Sequence, residues 1–415
     1  MTNTKLHEIL NRQLAEPRPR LDEAASVPFS NAQNNLLWDF RALLSDNAIF
    51  NYVVECAMTD PEDSWLSLAP AGYQSKLALP SFGDIGSDLP GLISTDKIRS
   101  RAIREPKHFR HNQSRLGRYG EELLQQAFAC DITPYTLVDH HIQIKASSKS
   151  TSRTLGELDF ILRIKDGSLG KEQVRQKEFE RMKERTAYDI NRKTVNVLPH
   201  EKSACMQPSL IHAEVAVKFY LLTSVEKWRH PESWIGAKTI DSLANKLRHT
   251  LTHQLALSTS YEALEIVSRV AWFLGWGFFP YHAISRTEHF ADPYDCKFVW
   301  FHASDFLDFI QLTGPSNLRF AALHRLAWLG GTRSDLSVSS EEMAAYINLR
   351  FIPKCREVYQ KRDPAKKYFE EIPNLMLQAW KVSADDSVRE YRYIVVADGW
   401  PEIDAKYTQS FTHNT

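Results

Sequence analysis

Gly156-Glu157-Leu158-Asp159-Phe160 and Glu214-Val215-Ala216-Val217-Lys218 are the two stretches whose reading decides the fold. Both sit in runs of apolar and β-branched residues, Thr154 to Ile164 and Leu210 to Leu222, which read as strands. Residues two apart on a strand share a face. Glu157 and Asp159 therefore fall together on the first strand. Glu214, Ala216 and Lys218 fall together on the second, and Val215, Val217 and Phe219 form an apolar stripe on its other face. Charges carried by such a strand are costly unless they are paired or bind a metal.

Outward from this pair, Thr136 to Ala146 alternates loosely and joins the Asp159 run through the short turn Ser147 to Ser152, which predicts a hairpin. Before it, Gly117-Arg118-Tyr119-Gly120-Glu121 opens an apolar-periodic helix through Phe128. After the Glu214 strand, a helix is expected from about Thr239 to Leu255. Val267 to Phe279 fits a buried strand or a helix equally. The order helix, three strands, helix, strand predicts an α/β core, a mixed sheet flanked by helices.

The chain divides into three regions. Residues 1–95 form an N-terminal helical region, with Leu36, Leu37, Phe40, Leu43 and Leu44 at helical spacing and prolines punctuating the rest. Residues 96–282 form the core, with an insertion at about 165–208 that contains a solvated helix, Lys171 to Arg185. Residues 283–415 form an α+β extension, with helices at Ser304 to Leu312 and Leu318 to Leu329 and a late strand, Tyr391 to Ala397.

The chain has 415 residues, with 51 Lys+Arg against 51 Asp+Glu. Zero formal charge excludes a whole-chain field that would attract nucleic acid, so any phosphate binding rests on local patches. One such patch is Lys97 to Arg118, whose only acid is Glu105. The five cysteines are scattered without zinc-ligand spacing, as expected of reduced thiols. The first residues carry no signal-peptide apolar region, and the longest apolar run, Val270 to Tyr281, is shorter than the roughly 20 residues of a membrane span. A cytoplasmic protein with no membrane partner is expected.

Two readings of the acids and the lysine stand side by side. In one, Asp159 and Glu214 hold a hard cation, Mg²⁺ or Mn²⁺, Lys218 positions a water, and Glu121 completes the acid cluster. In the other, Lys218 forms a structural ion pair with Glu214 or Asp159. Arg115 and Arg118 are candidate phosphate contacts, against the alternative of a solvated surface. On the helix after the Glu214 strand, Lys246, His249 and His253 share a face. Gln254 is the preferred substrate contact there, against a plain polar outer face. His212-Ala213-Glu214 lacks the cysteine partner of a zinc deaminase. Asp139-His140-His141 is taken as a polar strand. No P-loop, dinucleotide fingerprint or nucleophile elbow is present. The C-terminal tryptophans and phenylalanines read as core.

The Gly-Glu-Leu-Asp strand, the Gly-X-X-Gly-Glu helix entry and the lysine of the Glu214 strand together resemble the PD-(D/E)XK nuclease superfamily. More narrowly, Leu116 to Tyr119, Leu155 to Phe160, Glu214 to Leu221, Trp234-Ile235-Gly236 and His253-Gln254-Leu255 resemble domain-of-unknown-function family 1853. The resemblance implies a restriction-endonuclease-like core and metal-dependent hydrolysis of DNA, with Asp159 as the metal-binding acid and Lys218 as the motif lysine. The superfamily acid stands two residues before the lysine, where this chain has Ala216. Glu214 lies on the same face about 6.6 Å further back. A nucleic-acid-binding or scaffold protein that keeps the fold without cutting is the alternative.

Overall fold

The computed structural model describes residues 48–60, 64–74, 116–129, 134–145, 154–164, 210–237, 241–260, 266–284, 298–313, 318–323, 327–330, 337–361, 373–382 and 388–401. The helices expected at Leu36 to Leu44 and Lys171 to Arg185, and Arg115 with nearly all of the basic segment, lie outside these residues.

The architecture is α/β, built on one mixed ten-stranded sheet flanked by helices. Helix α1 (Ala48–Thr59) comes first, then α2 (Leu116–Ala129) and the expected hairpin, β1 (Tyr135–Lys145) with β2 (Thr154–Ile164). Strand β3 (Leu210–Leu222) lies antiparallel to β2 and carries the short β4 (Trp234–Gly236) on its far end. Helix α3 (Leu243–His249) runs on through a π-helical turn, Thr250–Gln254, to Leu257. Ser242 starts it, its hydroxyl accepting from the Asn245 amide.

Strand β5 (Ile266–Pro280) settles the ambiguous apolar run as a strand, parallel to β3. Its sequence shows no alternation because both faces are covered. Trp272 and Leu274 pack with Val215 and Val217 under α2, while Ala271 and Phe273 pack with Ala216 and Tyr220 against α1 and α3. Gly275 has φ +108, and a Cβ there would lie 1.8 Å from the Lys218 carbonyl oxygen. Only glycine allows β5 to approach β3 at that point.

The sheet continues through β6 (Phe298–His302), β10 (Val388–Val396), β9 (Leu375–Val382), β7 (Leu318–Ala322) and β8 (Val338–Ser339), in that spatial order. β3, β5, β6 and β10 are all parallel, and the remaining pairs are antiparallel. Helices α4 (Ala303–Thr313), α5 (Ser340–Tyr346) and α6 (Ile352–Lys361) cover one side of this half. The stretch from Leu318, expected as a helix to Leu329, is instead β7 followed by a helical turn at Ala327–Gly330. Leu318 and Phe320 are buried to either side of exposed Arg319, a period of two that pairing with β9 selects. No described helix is long and apolar enough to cross a membrane.

Candidate functional site

The β2–β3 ladder runs from Arg163↔Leu210 to Phe160↔Ala213 and stops there. Beyond it, each strand's backbone is met by a carboxylate of the other. The Val215 amide donates to Asp159 Oδ2 at 2.9 Å, and the Asp159 amide donates to Glu214 Oε1 at 3.4 Å. The parting begins beside His141, whose φ of 53° is unusual for a residue with a side chain. His141 stands between the pairs His140↔Phe160 and Ile142↔Leu158. Strict alternation breaks at this point. Phe160 packs on Phe128 of α2, whereas Leu158 joins Ile144 and Ile161 against Leu257. The parity expected between Glu157 and Asp159 breaks with it. Glu157 turns to α2, pairing with His141 at 2.7 Å and Arg118 at 3.3 Å, and Asp159 turns to β3.

Gly156 has a packing reason. A Cβ there would stand 2.3 Å from a Leu257 methyl, so its absence lets the end of the α3 helix seat on β2.

Asp159 and Glu214 are both buried, and their carboxyl groups hydrogen-bond to each other. Burial raises Asp159 to about 7, and the neighbouring Glu214 charge pushes the same way. Burial likewise raises Glu214 to about 7, with the Glu121 charge adding to it. Glu121 on α2 feels the charge of the pair and is raised to about 7 by burial and then by Asp159. The three acids therefore act as one group, entered from both sides of the sheet.

The other side is α3 and its π turn. Gln254 donates from Nε2 to Glu214 Oε2 at 2.7 Å. Its Oε1 accepts from the Lys246 ammonium at 2.7 Å and from the Thr250 hydroxyl at 2.9 Å. This donor and acceptor pattern fixes the orientation of the amide. Lys246 is half-buried. Desolvation lowers its pKa, and the Glu214 and Asp159 charges oppose that. A π turn adds a residue to the helix and redirects the turns after it, a device common at functional sites.

Glu214 Oε1 also meets His212 Nε2 at 2.8 Å. His212 is fully buried, and desolvation holds it at about 4, so the ring is neutral at physiological pH. Its Nδ1 touches Ser258 Oγ at 3.0 Å, and Ser258 accepts from Arg269 Nε at 2.8 Å. Arg269 in turn donates to the Ala71 carbonyl at 2.7 Å.

The structure thus brings Asp159, Glu214, Glu121 and Gln254 together. Lys218 shares the strand face of Glu214, but its ammonium is paired with Asp241 just ahead of α3. Arg118 lies at the margin, bound to Glu121 at 3.5 Å and to Glu157 and His141. Sequence reasoning placed Lys246 on a polar outer face and did not place His212, Asp241, Ser258 or Arg269 at the site. One signal was available for His212: it shares the parity of Glu214 on a strand otherwise apolar.

The chain matches the family model described as "Domain of unknown function (DUF1853)" over residues 95–174 and 204–396. It belongs to that family. No curated protein and no solved structure matches it. The matched residues contain the whole acid cluster together with α2, α3 and the sheet from β1 to β10, and the stretch between the two segments falls within the insertion expected at about 165–208.

Proposed function

We propose that this family member is a metal-dependent nuclease with a PD-(D/E)XK-like core that hydrolyses DNA phosphodiester bonds. The observation that carries the reading is the parted β2–β3 pair, with two buried carboxyls in contact and an ammonium within reach. Two carboxylates held this close in a low-dielectric setting repel, and a shared cation relieves both their repulsion and their burial. The donors at the centre are carboxylate oxygens, a set that suits hard Mg²⁺ or Mn²⁺. Asp159 and Glu214 would hold the ion, and Glu121 would reach it directly or through a water. When bound, such an ion polarises a phosphoryl oxygen and lowers the pKa of a coordinated water.

Among the described residues, the lysine whose charge acts on both acids is Lys246, and Gln254 links its ammonium to Glu214, whereas the Lys218 charge is taken by Asp241. Lys246 therefore inherits the part expected of Lys218, orienting the attacking water and neutralising charge that develops on the phosphate. Gln254 holds that ammonium in place. Arg118, a third exposed, stands where a phosphate oxygen could replace one of its carboxylate partners.

A second reading is favoured by how completely Glu214 is engaged: Oε1 by His212 and the Asp159 amide, Oε2 by Gln254. With Ala216 at the usual acid position, this supports a chain that retains the fold and binds nucleic acid without cutting it.

Incubation with single-stranded, double-stranded and branched DNA in Mg²⁺ or Mn²⁺ separates the two. Cleavage is expected in wild type, with losses of ~10²-fold or more in Asp159→Ala and in Lys246→Ala. Lys218→Ala is expected to lose less. Cleavage that survives both of the first two changes would sink the nuclease reading. Salt-sensitive DNA binding with no cleavage under any metal would establish the second.

A further inference from the structure

A second constellation lies where the two halves of the sheet meet. β5, β6 and β10 are parallel, and ligands in such sheets gather at the carboxyl ends of the strands. His282 stands two residues past the end of β5, His302 is the last residue of β6, and Asp305 lies in the first turn of α4. Their ligand atoms all lie within 4.8 Å of one another. Asp305 Oδ2 is 3.1 Å from His302 Nδ1 and 3.2 Å from His282 Nε2.

The hydrogen bond on the far side of His302 fixes which of its nitrogens faces the acid. Its Nε2 is 2.7 Å from the Trp400 carbonyl oxygen, which can only accept. Nε2 therefore carries a proton. In the neutral ring, Nδ1 then has its lone pair directed at the carboxylate oxygen, which is repulsive. The same oxygen faces the His282 nitrogen. A proton between His302 Nδ1 and Asp305, with His282 in the tautomer that carries N–H on Nε2, is one resolution. A single cation among the three atoms resolves it at once. An imidazole that donates its remote N–H to a backbone carbonyl while its other nitrogen binds is the usual arrangement of a metal-ligating histidine.

We propose that His282, His302 and Asp305 form a binding site for a divalent transition metal, with Zn²⁺ the ion of choice. Two imidazoles and one carboxylate favour a borderline ion over Mg²⁺. Ligands at about 2.1 Å from zinc stand roughly 3.4 Å apart in a tetrahedron, close to two of the separations present. His282 is half-exposed, so an ion here would keep at least one position open to water or to an oxygen ligand. This site is independent of the acid cluster, whose oxygen donors select a harder ion.

The test uses untagged full-length protein, stripped with a chelator and titrated with Zn²⁺ by calorimetry near neutral pH. One tight site is expected in wild type. His282→Ala, a change at an exposed position that should leave folding intact, is expected to weaken it at least ~10-fold, the loss that even outer partners of a metal site cause. Asp305→Asn is expected to act likewise. Asp159→Asn, which removes a carboxylate of the acid cluster, should leave Zn²⁺ binding unchanged. Absence of a tight site in folded wild type, or equal affinity in His282→Ala, would overturn the proposal. Loss of Zn²⁺ binding in Asp159→Asn with retention in His282→Ala would place the ion at the acid cluster instead.

Discussion

At the scale of the residue, the acid cluster ties ionisation to stability. Asp159, Glu214 and Glu121 each hold their proton to about 7 in the fold, well above the range of an unfolded carboxyl. Between roughly pH 4 and 7 the folded chain therefore binds more protons than the unfolded one, and these groups cost stability as pH rises through that window. His212 works oppositely: buried as the neutral ring at about 4, it costs stability as pH falls below the ordinary histidine value. Asp159→Asn keeps a carbonyl for the Val215 amide and removes a charge. Above pH 7, without metal, it is expected to raise the melting temperature by roughly 2–5 °C, while abolishing any cleavage. A lowered melting temperature at that pH would show that the pair is not strained. A cation that binds the ionised pair must displace its proton, so Mn²⁺ should raise the melting temperature more at pH 8 than at pH 6. A fluorescence thermal-shift series across pH reads both effects. Asp159 and Glu214 were legible in the sequence because acids are rare on apolar strands. Lys246 was not, because its helix face looks solvated until β3 is packed beneath it.

At the scale of the element, β3 and β5 decide the geometry. Their parallel pairing extends from Leu210↔Ile266 to Leu221↔Phe278. Gly275 sits opposite Lys218 within it. Gly275→Ala would drive a methyl into the Lys218 backbone at a φ that side chains avoid. It is expected to cost more than ~3 kcal/mol and to lower the urea midpoint sharply. Gly156→Ala meets only the movable end of Leu257, and the expected cost is about 1 kcal/mol. Comparable losses in the two variants would contradict the close approach at Gly275. The hairpin, β2, β3 and α2 were readable from periodicity. β6 to β9 were not, and of the strands after β5 only β10, the late strand, was. Short runs such as Phe298 to His302 and Leu318 to Ala322 gain strand character only from their partners.

At the scale of the whole molecule, the sheet has a narrow waist. β5 and β6 share the pairs Phe279↔Val299 and Pro280↔Trp300. The waist is reinforced by Trp300, whose indole N–H donates to the Leu222 carbonyl at 2.9 Å and whose ring stands 5.1 Å from that of Trp400. Trp276, Phe278, Met376 and Ile394 fill the same cluster. Trp300→Ala is expected to cost about 3–5 kcal/mol and to split one calorimetric unfolding transition into two, as the halves lose their coupling. A single transition that merely shifts downward would locate the coupling elsewhere. The candidate zinc site straddles this waist, with His282 just past β5 and His302 ending β6, whereas the acid cluster lies on its β2–β3 side.

The sequence by itself determined the class of fold and the acids worth watching. Strand period, the helix entry and the turn residues are local properties, and a buried carboxylate on an apolar strand announces itself by its cost. Only the tertiary structure decided which lysine faces the acids, that Gln254 and His212 clamp Glu214, and that His282, His302 and Asp305 converge. Those groups come from elements far apart in the chain. Their meeting depends on the left-handed turn at His141, the π turn after His249 and the parallel order of β5, β6 and β10, which packing imposes and no local pattern encodes.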